Sequence, residues 1–337
     1  MALDRLLAFG PHNGAHRVAV RAGISILVPL LVLLWIGHLS WAIYAAFGSF
    51  TSLYGRERKG RRRLTLQLVA GGMMVGSVTL GALVAVSPDR RWLAVPVATV
   101  VAFLVAAEST RMGWHPPGAL FQIFGFASVA SVPAAIGSVG TAAACAASSA
   151  ALAVVLGSLG HATRRLRGAG PTLHPPRLLD RERLWEYAGL YAAGVLVAGL
   201  IATSAGIDRP YWAMVGAAVP LAARGFGLQL LRGLHRIIGT AVGLLIAWGL
   251  LELRLSGVAV LVAIAVLQGA AELMVGRNYG VALMAVTPLA LLMVSMVDPA
   301  PIGPLLLDRG IETLIGAVIG ILIGWAAHRS PLVKKAR

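Results

Sequence analysis

Charge is what this chain has least of. Charged residues make up 12% of its 337 residues, against about 25% in a soluble globular domain. So sparse a supply cannot cover a water-facing surface. Carboxylates are scarcer still, with 13 Asp and Glu beside 29 Lys and Arg. Cysteine is nearly absent: Cys145 stands alone in an Ala-rich run, which excludes an intrachain disulfide and a thiolate metal cluster. There is no HExxH, GxSxG, P-loop or CxxC pattern. The outer loops hold Asp89, Asp208, Asp298 and Asp308, with no clustered constellation of carboxylates or histidines. These absences argue against an intramembrane enzyme, a metal centre and a cofactor site. A cleavable leader is not expected either. The first apolar run, near Val18–Gly37, is too long for a signal-peptide core and lacks a convincing cleavage site.

What the chain has is hydrophobicity: 58% of its residues are apolar and its mean hydropathy is +0.81. Apolar segments lie near 18–37, 40–54, 64–86, 92–108, 118–134 and 136–160, and again near 185–204, 210–224, 236–252, 257–275, 279–297 and 310–327. Runs near 20 residues are the signature of helices that cross a bilayer. The reading is an all-α polytopic membrane protein with about 12 transmembrane helices, the second and eighth of them short. Its net charge of +16 would suggest nucleic acid in a soluble protein; here it reports topology. With the N-terminus inside, only Arg90, Arg91, Arg209, Arg254 and Arg309 of the 29 basic residues fall outside. That is the positive-inside pattern, and it places both termini in the cytoplasm and the chain in a plasma or inner membrane.

The halves resemble each other. "LSWAIYAAFGSF" (39–50) echoes "PYWAMVGAAVPL" (210–221), and "LQLVAGGMMVGSVTLGALV" (66–84) echoes "LHRIIGTAVGLLIAWGLL" (234–251). Ala-Ala-Glu occurs in "FLVAAESTRMGWHPPG" (103–118) and in "LQGAAELMVGRNYG" (267–280), and His161 answers to His328. Six spans per half bring both repeats in from the same side, so the expected organisation is two parallel repeats, 1–163 and 185–337, joined by a basic linker, 164–184. Small residues at i and i+4 are expected to let helices pack closely: Gly72 with Gly76, Gly239 with Gly243, and Gly316 with Gly320 and Gly324.

"RPYWAMVGAAVPL", "RGLHRIIGTAVGLLIA", "RNYGVALMAVTPLALLM" and "DRGIETLIGAVIGILIGW" together resemble the membrane domain of the fusaric acid resistance (FUSC), or aromatic acid exporter, family. "SWAIYAAFGSF" and "RRRLTLQLVAGG" resemble it more loosely. The resemblance implies efflux of small, often aromatic, carboxylic acids driven by protons. The same family is similar to plant aluminium-activated malate channels, so a passive organic-anion channel is the alternative. The implied partners are the bilayer, a small organic anion and protons; homo-oligomerisation is left open.

The ionisable residues between apolar runs carry the site expectations, since such groups inside a bundle tend to face a pathway. Glu272 and Glu108 are the candidates for proton coupling. Arg236, Arg277 and Arg111 are the candidates for an anion, Arg236 first, because a guanidinium holds a carboxylate through two parallel hydrogen bonds. Glu108 and Arg111, three residues apart, can also form an ordinary ion pair on one helix. Glu272 and Arg277, five apart, lie about 140° apart around a helix and cannot. Trp41, Tyr211 and Trp212 stand at corresponding helix starts, as interfacial anchors or as a platform for a planar acid. Thr287, before Pro288, is a hinge or site candidate.

Overall fold

The computed structural model describes residues 2–12, 14–56, 58, 60–165 and 181–329, and among them every regular element is helical. A short helix, α1 (Ala2–Leu7), leads in. The first half follows with α2 (Ala15–Trp35), α3 (Ala42–Ser49), α4 (Gly60–Ala85), α5 (Arg90–Met112), α6 (Leu120–Ser131) and α7 (Ser138–Arg165). The second half has α8 (Arg181–Ser204), α9 (Tyr211–Leu221), α10 (Phe226–Glu252), α11 (Gly257–Met274), α12 (Tyr279–Val297) and α13 (Ile302–Arg329). Among the described residues nine of these are long and apolar enough to cross a membrane. The chain is an all-α polytopic membrane protein. Most of the expected linker, 166–180, and the tail, 330–337, lie outside the described residues.

The short helices are the protected ones. Every residue of α9 is buried, as are seven of the eight in α3. Irregular or short backbone is tolerated at membrane depth where protein covers it, and longer helices do so here. Their outer faces carry Val20, Leu104, Leu245, Val266 and Leu322, all exposed, as a lipid-facing surface requires. A third short helix, α6, spans 12 residues, fewer than its apolar run suggested.

The packing has a matched form. Helix α4 packs on α6 and α7, and α10 packs on α12 and α13; α3 lies on α7, and α9 on α13. Between halves, α5 lies on α8 and α11 on α2, while α6 meets α9 and α3 meets α12. We call the side of the membrane bearing α1 and the end of α13 the near side. Both meet the start of α10, the latter through the side chain of Gln229 beside Gly324.

Glycine explains the closest contacts, and one expected stripe fails. A methyl group on Gly316 or Gly320 would strike the backbone of α9 at Ala213 or Ala217, and one on Gly239 would strike the carbonyl of Gly280 on α12. Gly72 and Gly76, by contrast, face open space. Their role falls instead to Gly71 against Thr51, one residue before Gly72, and Gly81 against the Phe126 carbonyl, five residues after Gly76. Spacing identified a glycine-rich helix without fixing which face packs.

The last helix begins at Ile302, not near residue 310. Pro301, Gly303 and Pro304 read as loop, yet proline is tolerated in a helix's first turn, where backbone N–H groups have no partner within the helix. Asp308 and Arg309 are therefore helical residues, and Arg309 is buried within the bundle.

Candidate functional site

Four residues of α13 share one face by helical spacing: Arg309, Glu312, Thr313 and Gly316, at i, i+3, i+4 and i+7. Gly316 brings that face onto α9. Arg309 is 1% exposed and Glu312 0%. The Arg309 guanidinium carbon stands 3.6 Å from the centre of the Trp212 ring on α9, within the range of a cation–π contact. Its Nε and Nη1, both carboxylate oxygens of Glu312, and the hydroxyl of Thr313 have no hydrogen-bond partner. Arg236 on α10 is 2% exposed, and its Nε and Nη2 are likewise unpartnered. Thr240, one turn beyond, and Thr287 on α12 add two more unpartnered hydroxyls. Thr287 lies against Gly243. The electrostatic neighbours of Arg309 are Arg236, Glu312, Tyr211 and Tyr279.

Buried polar groups in proteins almost always have partners, because leaving one unmade costs about 1–3 kcal/mol and more for a charge. Four nitrogens of two guanidiniums, both oxygens of one carboxylate and three hydroxyls without hydrogen-bond partners are thus an unusual concentration of unmet hydrogen-bonding capacity. The arginines can accept an anion between them, and Glu312 can hold or release a proton.

Toward the far side, Arg209 bonds Asp298 at 2.8 Å and approaches Asp308 at 4.0 Å. Under this network lies a narrow cavity lined by Ile43, Ser128, Arg209, Tyr211 and Asp298, where α3, α6, α9 and α12 converge. Below it the middle of the molecule is filled by rings in edge or tilted contact: Phe124 with Trp212 at 4.8 Å and with Phe47 at 4.9 Å, then Phe50 with Phe121 at 5.3 Å.

On the near side, Glu272 does turn away from Arg277. It lies 3.9 Å from Arg56 of the first half. Arg277 donates from Nε to the Gly10 carbonyl at 3.3 Å and accepts from the Gly10 N–H at 2.9 Å. Beside it Asn278 caps α12 and donates to the carbonyls of Leu6 and Ala8. His115, in the loop after α5, is bonded to Arg56. Burial, and then the charges of Arg56 and Arg232, push its pKa down to about 3.

Of the residues singled out from sequence, Trp212 carries Arg309, Tyr211 and Arg236 are among the electrostatic neighbours of Arg309, and Thr287 is buried against Gly243 of α10. Tyr211 and Trp212 are 2% and 1% exposed, so they are not interfacial anchors. The others stand apart. Arg111 and Glu108 form a bidentate pair at 2.6 and 2.7 Å, with the Arg111 side chain 67% exposed. Trp41 stacks on His38 at 4.1 Å. Glu272 and Arg277 are tied up as described. Arg309, Glu312, Thr240 and Thr313 were not singled out. The signal was in the α13 sequence: Arg309, Glu312 and Thr313 continue the stripe of Gly316 and Gly320 that was read as a packing face.

Fold and cluster define a multi-pass helical membrane protein with an ionisable site inside its second half. Residues 196–323 match the family described as fusaric acid resistance protein-like, which bears out the resemblance over that stretch. The matched stretch contains every member of the cluster. A segment of 133 residues is 31% identical to the "Uncharacterized membrane protein YvaC" of Bacillus subtilis (strain 168), covering 39% of this chain and 21% of that protein. No solved structure matches.

Proposed function

We propose that the chain exports small carboxylic acids, aromatic ones among them, with proton movement as the driving force. The observation that carries this reading is the pair of buried guanidiniums, Arg236 and Arg309, each with Nε and one Nη without a hydrogen-bond partner. A carboxylate is the anion whose two oxygens match a guanidinium's parallel donors. Trp212 beside Arg309 offers an aromatic substrate a ring to stack on. The matched helix contacts support a division into two six-helix repeats, 1–163 and 185–337, joined by 164–184, with the pathway between them. The packed rings at Phe47, Phe50, Phe121 and Phe124 favour a carrier over an open channel, since passage requires them to move apart. The basic side is taken as cytoplasmic, with both termini there.

The test is flux in proteoliposomes holding the full chain. Benzoate, salicylate and acetate are followed with and without an imposed pH gradient at clamped voltage. Uphill accumulation driven by the gradient, lost in Arg236→Gln, is the expected result. Movement only down the electrochemical gradient converts the reading to the channel, and no movement of any acid removes the substrate class.

A further inference from the structure

Arg309 has more than one electrostatic partner within reach, and Glu312 has few alternatives. Glu312 faces Arg309 and Asp308 on its own helix, Asp208 and Arg209 from the α8–α9 connection, Tyr211 from α9, and Arg236 through Arg309 from α10. On the faces where α8, α9 and α13 pack together the side chains are apolar: Ala198, Ala202, Ala217 and Ile319. Arg209 is already engaged by Asp298 and lies near Asp308. The cation left for Glu312 is Arg309. Yet no ion pair within 4.0 Å joins them among the described residues; the guanidinium sits on Trp212 instead, and the carboxylate is left without a hydrogen bond.

A buried carboxyl group with no water and no donor is stable in only two ways. It is ionised beside a cation, or it carries a proton. With Arg309 on Trp212, Glu312 is without a counter-ion. That arrangement goes with a protonated Glu312 and leaves Arg309 open to an external anion. The other arrangement turns Arg309 to Glu312 on the same face of α13. We infer that Glu312 and a ligand carboxylate compete for Arg309, so that each carboxylate bound at Arg309 and Arg236 is accompanied by one proton taken up on Glu312. This rests on the carboxylate reading above and adds to it the coupling residue. The proton enters from water at the far side, where Tyr211 both lines the cavity beneath Arg209 and Asp298 and neighbours Glu312. When the ligand leaves, Arg309 returns to Glu312 and the proton is released. The coupling group is then Glu312 of α13, not Glu272, whose partner Arg56 belongs to the near-side network.

The experiment uses the full chain in detergent, with labelled benzoate binding and dye-reported proton uptake followed together in weak buffer. Wild type is expected to take up close to one proton per benzoate. Its affinity then weakens as pH rises, by up to about tenfold per unit, the limiting slope for one linked proton. Glu312→Gln is expected to bind benzoate with no proton uptake and with an affinity indifferent to pH. Glu312→Asp keeps a titratable carboxyl and restores uptake, which separates loss of coupling from misfolding. Glu272→Gln retains uptake. Benzoate binding by wild type without proton uptake overturns the exchange while leaving the carboxylate reading intact. Uptake that persists in Glu312→Gln does the same. If wild type binds no benzoate at any pH, the carboxylate reading fails and the exchange fails with it.

Discussion

Replacing Gly316 by alanine should weaken the protein, while the same change at Gly72 should not. Both lie inside long helices, and on propensity alone each substitution favours the helix by at most about 1 kcal/mol. The difference is what the added methyl meets. At Gly72 it meets nothing within 4 Å. At Gly316 it runs into the carbonyl of Ala213 and lies 2.7 Å from the Gly216 Cα and 2.9 Å from the Ala217 nitrogen. Those are backbone atoms, which cannot rotate aside as a side-chain tip can. Helix α13 must therefore move off α9.

Inserting a methyl group into a packed core typically costs about 1–3 kcal/mol, and a rigid backbone obstacle belongs at the upper end. Offset by the propensity gain, Gly316→Ala should lose on the order of 1–2 kcal/mol, and Gly72→Ala should be neutral or slightly stabilised. The measurement is unfolding of the detergent-solubilised chain, followed by tryptophan fluorescence for the two variants in parallel. The shift of α13 has a local consequence too: Trp212 and Arg309 face each other across this contact. Emission from the folded Gly316→Ala protein should thus change, while that of Gly72→Ala should not. Equal stability losses, or a larger loss at Gly72, would refute the assignment of the packing faces.

Other expectations follow from the near-side network. Glu272→Ala removes the buried carboxylate of a pair with the half-buried Arg56 and should cost more stability than Glu108→Ala. That second change breaks an exposed pair of the kind worth at most about 1 kcal/mol; comparable losses in chemical unfolding would contradict this ordering. His115 should make the protein acid-sensitive. Its folded pKa of about 3 lies below the ordinary 6.5, so the unfolded chain binds a proton that the folded one refuses. Its stabilising effect is complete above pH 6.5 and is lost as pH falls from there toward 3, by up to about 1.4 kcal/mol per unit. The stability of His115→Gln should fall less steeply over pH 7 to 5, and parallel curves would count against it. Asn278→Ala removes the cap of α12 and the donors to Leu6 and Ala8. A loss of about 1 kcal/mol should come with faster tryptic cleavage near the N-terminus, and unchanged cleavage would show the N-terminal segment is held by other contacts.

Period and composition made much of this architecture legible. The twelve apolar runs correspond to α2 through α13, because apolar length is what a bilayer demands. Helical spacing predicted that Glu272 and Arg277 would not pair, and the structure sends them to Arg56 and to Gly10. Arg277, however, lies in the turn past Met274, where α11 ends, and not on the helix itself. Period does not say which side of an all-apolar helix meets protein, so the stripe at Gly72 and Gly76 was taken for a contact it does not make. The buried cluster was only half legible. Arg236 lies within an obvious helix, whereas Arg309 follows "PIGPLLLD", where two prolines and a glycine imitate a loop. A boundary placed eight residues late turned the most buried arginine into a surface marker of topology.

That misplacement hid a difference between the halves. On the repeat register that pairs His161 with His328, the positions of Arg309 and Glu312 in α13 correspond to Ala142 and Cys145 in α7. Ala142 is fully buried and Cys145 half-buried, so the first half carries neither the cation nor the acid at these places. On the proposed reading, only the second half supplies the charged residues of an anion site. The first half supplies Phe124, against which Trp212 packs, with Phe47 behind it. On that same reading, access to Trp212 from the first half requires Phe124 to move aside.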